Sequence, residues 1–351
     1  MTISSVSAIA YPINYQLMRQ LLLTAKTRAP FLNGTTAGML NRNAGTASVK
    51  WERIENLTAT TTPLGEKSGA LSLPTRAGVV PTITPITADM LKYGNTIFIN
   101  EELELMSVNA RASKFMNVLG ENAGAVYNKV MAAVYAGATK ERFANSVASR
   151  LLVITKMTAA DIKATHNEIN RLGGMKYHPE GYGSTNIGTS PVRASYMGIC
   201  HVDVEEDIRL ISDFVPVESY GGYTETYPFE FGYSNGVRWC STEESALIVA
   251  DATTALTAGF RGTTKNDVYL SYVAAVDSIG SVGLGENHTT DMYMTGDRLP
   301  AVDVVYAPPA TSVADPQGEI GVLSWKGWLV GKVLNTDWVV RIETLATDYS
   351  L

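Results

Sequence analysis

Cysteine is nearly missing from this chain of 351 residues, which has two, Cys200 and Cys240. They lie forty positions apart without metal-type spacing, which excludes a zinc knuckle and leaves one disulfide as the alternative to two free thiols. Both sit in strand-like apolar contexts and read as buried thiols of a reducing compartment. Histidine is scarce as well: His166, His178, His201 and His288 have no partner at i,i+4, which removes the usual helical zinc motif. No Gly-x-Ser-x-Gly elbow, Walker loop or Cys-x-x-Cys pair occurs. No apolar run approaches the ~18 residues of a membrane span. The opening Met1-Thr-Ile-Ser-Ser-Val-Ser-Ala8 lacks the basic and apolar regions of a signal peptide. A basic excess is also lacking: 28 Lys and Arg against 34 Asp and Glu leave a formal charge of −6. That balance argues against a protein that coats nucleic acid through a general basic surface. The expectation is a soluble protein made in a cytoplasm, with no membrane contact, metal or cofactor.

What is present is 45% hydrophobic residues, enough for one large domain or two moderate ones. The chain is organised around residues 46–104. This stretch opens on a strand-like run, 46–54, in which Val49 and Trp51 alternate with Lys50 and Glu52. About twenty residues rich in Thr, Gly, Ala, Leu and Ser follow. A second extended run, 78–86, carries Pro81 and Pro85, which rule out a helix and a central strand. A two-stranded arm so poor in apolar residues does not hold itself together in water and has to lie on something.

Before the arm, Ile13, Leu17, Leu21 and Leu22 form a helical stripe over 12–26, closed by Pro30 and Asn33-Gly34. After it, residues 100–138 read as helix, with an apolar stripe of Phe115, Val118, Leu119, Val126, Val130 and Val134. Small residues from Ala123 to Ala125 and at Ala132 and Ala133 let another backbone come close. Thr158-Ala-Ala-Asp161 reads as a helix N-cap with an acidic first turn, and Gly173-Gly174 as the stop. Residues 194–202 read as a buried strand, and 203–211 as a short helix with its acids at the N-terminal end. Ser234-Asn-Gly236 is a hairpin turn between alternating aromatics. The last third is strand-like at 268–276, 301–306, 321–334 and 338–343, and the last two runs read as a hairpin. Helices early and strands mixed with helices later make the class α+β.

Few residues ask for a chemical role. His201 and Asp203 could share a face with Glu205 or Glu206, but a strand end passing into an acid-capped helix explains them without a metal. Gly280-Ser-Val-Gly-Leu-Gly285 resembles a phosphate loop only loosely, because no helix pattern follows it. Glu101, Glu102 and Glu104 fit a polar helix start better than acid–base catalysis. No residue is assigned as catalytic, cofactor-binding or metal-binding.

Several collinear segments nevertheless resemble one family. They are Gly45-Thr-Ala-Ser-Val-Lys-Trp-Glu-Arg53, Tyr93-Gly-Asn-Thr-Ile-Phe-Ile-Asn100 and Leu119-Gly-Glu-Asn-Ala123, then Tyr196-Met-Gly-Ile-Cys-His-Val-Asp-Val-Glu-Glu-Asp-Ile-Arg209, Gly321-Val-Leu-Ser-Trp-Lys326 and Val333-Leu-Asn-Thr-Asp-Trp-Val-Val-Arg-Ile-Glu343. As a set, running from about residue 40 to the end, they resemble the major capsid proteins of tailed bacteriophages of the coliphage N-four type. The arm departs from that pattern by being rich in Thr and Gly where relatives carry a more charged loop, and 221–228 is a local variant.

The resemblance implies the Hong Kong 97-like capsid fold. Residues 1–44 would be the N-terminal arm, 45–98 the extended loop and its return, and 99–157 the peripheral domain with its spine helix. Residues 158–258 would be the axial domain, and 259–351 would be strands returning to the peripheral domain. It implies no enzyme: the chain would self-assemble as pentamers and hexamers into an icosahedral shell around double-stranded DNA. Its partners would be copies of itself, a separate scaffolding protein and a portal protein, with room for decoration proteins. The shell would be assembled in the host bacterial cytoplasm and end in the virion. Val49, Trp51, Leu71 and Leu73 would anchor the loop on a neighbouring subunit. Arg19, Lys26 and Arg28 would be the basic residues of the inner surface. The capsid-like sequence starts almost at once, so no N-terminal maturation cleavage is expected. Lys67 in the loop reads as a solvated lysine, not an isopeptide donor. The alternatives are an encapsulin-type nanocompartment shell, which shares the fold, and an α+β enzyme with an unrecognised site.

Overall fold

The computed structural model describes residues 21, 29–41, 45–55, 57–59, 61, 80–102, 111–177, 194–220, 227, 229–245, 247–248, 267–285, 302–311 and 316–347. The expected N-terminal helix over 12–26 lies outside them except for Leu21, which is fully buried in the main core.

One long helix, α1 (Arg111–Ala136), is the centre of the molecule. At ~1.5 Å per residue its 26 residues span about 39 Å. Its buried line is Met116, Leu119, Ala123, Tyr127, Met131 and Tyr135, at spacings of three and four. The expected stripe was offset from this line. Phe115, Val126, Val130 and Val134 only flank the core, and Val118 is 57% exposed. Composition misled here, because methionine and tyrosine fill the seam where valine was expected.

An eight-stranded sheet packs on one side of α1. Its order is β5 (Lys140–Phe143), β15 (Val339–Thr344), β11 (Val268–Ala274), β6 (Tyr196–His201), β9 (Val237–Thr242), β8 (Glu230–Ser234) and β7 (Phe214–Pro216), with β10 (Leu247–Ile248) beside β11. Its other face is covered by α2 (Ala159–Arg171) and α3 (Val202–Arg209), which contribute Ile162, Ile169, Val204 and Ile208 to a second apolar cluster. α2 starts where expected. Thr158 accepts from the Asp161 backbone and the Asp161 side chain accepts from the Thr158 backbone, a reciprocal cap. The β8–β9 hairpin also matches, with Asn235 and Gly236 both at positive φ, 50° and 86°, as a two-residue turn of right-handed strands requires.

A five-stranded sheet also packs on α1, in the same core. It contains β1 (Thr36–Asn41), β12 (Ile279–Gly285), β14 (Ile320–Val333), β13 (Val302–Ala307) and β4 (Leu91–Asn100). β14 is its axis, pairing with β4 along one side and with β13 and β12 along the other. The expected hairpin between 321–334 and 338–343 does not form, because β14 and β15 belong to different sheets. The Leu334 and Asn335 amides both donate to the Ser278 carbonyl, at 2.8 and 3.1 Å. A short 3-10 turn (Thr336–Trp338) then redirects the chain. β15 is buried along almost its whole length and is satisfied only between two strands, β11 and β5.

The thiols are placed by sheet parity. Cys200 points into the cluster under α2 and α3, while Cys240 points toward α1. Adjacent strands therefore carry them on opposite faces, and no disulfide can join them. Burial pushes the Cys200 thiol well above its usual pKa and Cys240 likewise upward. Ellman's reagent should label neither thiol in the native chain and both in guanidinium. Labelling of the native protein would show that the sheet opens.

Candidate functional site

β2 (Ser48–Ile54) and β3 (Ile83–Asp89) form a separate two-stranded antiparallel ribbon, the arm expected from the sequence. With only two strands both edges are open, so Pro85 is tolerated opposite Glu52. Side chains alternate. Val49, Trp51 and Arg53 are half-buried with Thr84, Ile86 and Ala88, while the other face carries Ile54 at 64% and Ile83 at 52% exposure, directly opposed.

The half-buried face lies on the five-stranded sheet, on the side away from α1. A Cβ placed on Gly280 would sit 3.0 Å from the Trp51 indole nitrogen and 3.1 Å from Leu334. The glycine is therefore the seat of the indole. The Arg53 guanidinium reaches the Leu334 carbonyl and the Asn335 side chain, at 3.4 and 3.5 Å, and pairs with Glu55. The glycine-rich run 280–285, weighed above as a phosphate loop, is strand β12. Trp51 thus has a seat on its own chain, with Val49 beside it opposite Ala88. Leu71 and Leu73 lie outside the described residues, as do Lys67, Arg19, Lys26 and Arg28. What the sequence could not single out was the Gly280 seat, because nothing local distinguishes it from a loop glycine.

Among the described residues no further element covers the far face. Opposed residues of antiparallel strands share a face, so Phe98, Val322 and Ala307 form one row and Lys92 and Trp328 another. The Lys92 and Lys326 ammonium groups lie 5.7 and 5.8 Å from the Trp328 ring centre, a pair of cation–π contacts. On the α1 side, the Trp325 indole donates to Asn122 of the helix at 3.2 Å and meets Tyr127 edge-on at 5.8 Å.

Among the described residues no catalytic constellation accompanies these surfaces. His201 caps α3, with its Nδ1 accepting from the Asp203 amide at 3.1 Å, while Tyr269 donates to the Asp203 carboxylate. Among the described residues no cluster of His, Cys, Asp and Glu could hold a metal. A crevice of about 260 Å³ lies between Pro30, Ala125, Asn128, Val202, Phe229 and Glu244. Its polar groups serve the fold: Asn128 accepts from the Phe31 amide and donates to Thr242, and Glu244 faces Lys129 at 3.5 Å. Two buried ionic clusters do the same in the eight-stranded sheet. Glu230 pairs with Arg238, and Glu343 lies between Arg150 and Arg341. No described helix is long and apolar enough to cross a membrane.

No family model and no curated protein matches the sequence. Solved structures do. The capsid of Ralstonia phage GP4 aligns with a TM-score of 0.64 at 10% identity, over 92% of this chain and 93% of that one. The head structure of Helicobacter pylori bacteriophage KHP40 aligns at 0.55 and 10%, over 92% and 91%. The capsid of Cyanophage P-SCSP1u aligns at 0.53 and 10%, over 89% and 87%. The chain has the α+β fold of these capsid structures, the Hong Kong 97-like fold.

Proposed function

We propose that this chain is the major capsid protein of a tailed bacteriophage, forming pentamers and hexamers that close into an icosahedral shell around double-stranded DNA. The observation that carries the reading is the capsid fold along nine-tenths of the chain. A two-stranded ribbon whose tip exposes the opposed pair Ile54 and Ile83 is out of place on a monomer and in place on a subunit of a shell. The collinear segments quoted above point, within that class, to the N-four type. The role is structural, with no catalytic residue. The division into N-terminal arm, extended loop, peripheral domain, axial domain and C-terminal strands, the inner-surface role of Arg19, Lys26 and Arg28, and the scaffolding and portal partners belong to the same proposal. So does assembly in the host cytoplasm, and net acidity fits a container that encloses DNA without condensing onto it.

The arm is read as a strap between subunits. Trp51 fixes its base to its own sheet, so the part beyond Ile54 is the part that reaches a neighbour. Deleting residues 58–73 should leave a monomer with unchanged circular dichroism that builds no stable shells in negative-stain electron microscopy. Normal particles from the deletion would remove the strap. Wild-type protein that forms small uniform cages loaded with an enzyme would favour the nanocompartment. Dispersed wild-type monomers would remove the shell function altogether.

A further inference from the structure

β4 stands at an edge of the five-stranded sheet. It pairs with β14 on one side and with no strand among the described residues on the other. Its register runs through ten consecutive pairs, from Leu91↔Leu329 to Asn100↔Ile320, without a bulge. Edge strands are usually kept from pairing with another chain by shortness, proline or charge. Three other edges of this molecule follow that rule, while the six-residue β1 does not: β7 has three residues and ends in Pro216, β5 has four and carries Lys140, Glu141 and Arg142, and β3 carries Pro85. β4 has ten residues, no proline and a single charge, Lys92, which is engaged with Trp328. At its far end Phe98 is 71% exposed beside Ile320 at 54%.

We propose that β4 pairs antiparallel with β4 of a second copy of this chain, about a two-fold axis through Thr96. A strand paired antiparallel with itself is two-fold symmetric by construction. The axis runs normal to the sheet, so residues of the far face meet residues of the far face. Centred on Thr96, the two threonines oppose each other, a favourable cross-strand pair, formed when the Thr96 amide exchanges the Asn95 side-chain oxygen it donates to at 2.8 Å for the second copy's carbonyl. Phe98 then lies against the partner's Gly94, and Lys92 against the partner's Asn100. Gly94 is glycine because a Cβ there would come 2.5 Å from the Trp325 carbonyl oxygen. With no side chain of its own at Gly94, the backbone there is a flat surface against which an aromatic ring from the neighbouring strand can lie. The two Lys92 residues end up about 27 Å apart, beyond the ~8 Å over which physiological salt lets exposed charges act. Moving the centre by one residue loses the match, since Phe98 then meets Lys92 or Thr96. The pairing deepens the capsid reading by naming one surface through which copies meet.

The test is Thr96→Cys in the full chain, oxidised with diamide and run on a non-reducing gel, with Thr87→Cys on the exposed face of β3 as the control. The native thiols are buried and give no background. Thr96→Cys should run mostly as a covalent dimer and Thr87→Cys as a monomer. Adding Phe98→Asp to Thr96→Cys should lower the dimer yield roughly tenfold, as for loss of one apolar anchor, without shifting the melting temperature. No more dimer from Thr96→Cys than from the control overturns the pairing. Dimers without wild-type shells would keep the pairing and sink the capsid reading. Shells without dimers would do the reverse.

Discussion

Glu230→Ala is expected to cost the unassembled subunit roughly 3–5 kcal/mol and to lower its melting temperature by about 6–10 °C. The carboxylate is fully buried and accepts from three donors: the Arg238 guanidinium at 2.7 Å, the Tyr220 hydroxyl at 2.8 Å and the Tyr227 amide at 2.9 Å. Arg238 is itself 2% exposed, with the Tyr227 ring 4.9 Å and the Tyr220 ring 5.8 Å from its guanidinium carbon. Removing the anion takes its 2.7 Å carboxylate partner from a buried cation, and this penalty outweighs the modest net gain of the pair. The two halves can be separated. Glu230→Leu with Arg238→Met removes both charges and should recover most of the loss. A double variant no more stable than Glu230→Ala, by differential scanning calorimetry, would show that local packing, not the buried charge, sets the cost.

Trp325→Ala is expected to cost about 3–5 kcal/mol, at the upper end of large-to-small core substitutions. Trp325 is 1% exposed and stands where α1 meets β14, on the face opposite Lys92 and Trp328. Alanine empties the space beside Tyr127 and also removes the donor to Asn122. Neighbouring Leu323 and Leu329 are held by strand hydrogen bonds and cannot collapse into the void. Trp325→Phe keeps most of the ring and loses only the Nε1 donor, so it should cost about 1 kcal/mol. If both substitutions cost the same in urea unfolding, the hydrogen bond and not the packing holds the helix to the sheet.

Much of the local structure was legible from the sequence. The α2 cap is written in Thr158 and Asp161, three residues apart. The β8–β9 turn is written in Asn235-Gly236, and the arm in the alternation of Val49 and Trp51 with Lys50 and Glu52. The long helix was legible as a helix, but its seam was not. Phe115 and Val118 fit the same period as Met116 and Tyr127, and only the two sheets facing α1 select between them. The capsid fold was legible through six separated segments taken together, none of them sufficient alone.

The sequence by itself determined the interactions made between residues a few positions apart, together with the α+β class. Caps, turns and alternation depend on backbone geometry that neighbouring residues share. The tertiary structure decided everything that joins distant residues: β14 and β15 in separate sheets, Trp51 seated on Gly280, Cys200 and Cys240 on opposite faces, and Arg150 against Glu343, 193 positions away in the chain. Periodicity says which side of an element is apolar, but not which other element will cover it. That choice is made by closure of the whole core, where each strand takes the neighbour that leaves fewest apolar faces and backbone groups unpaired.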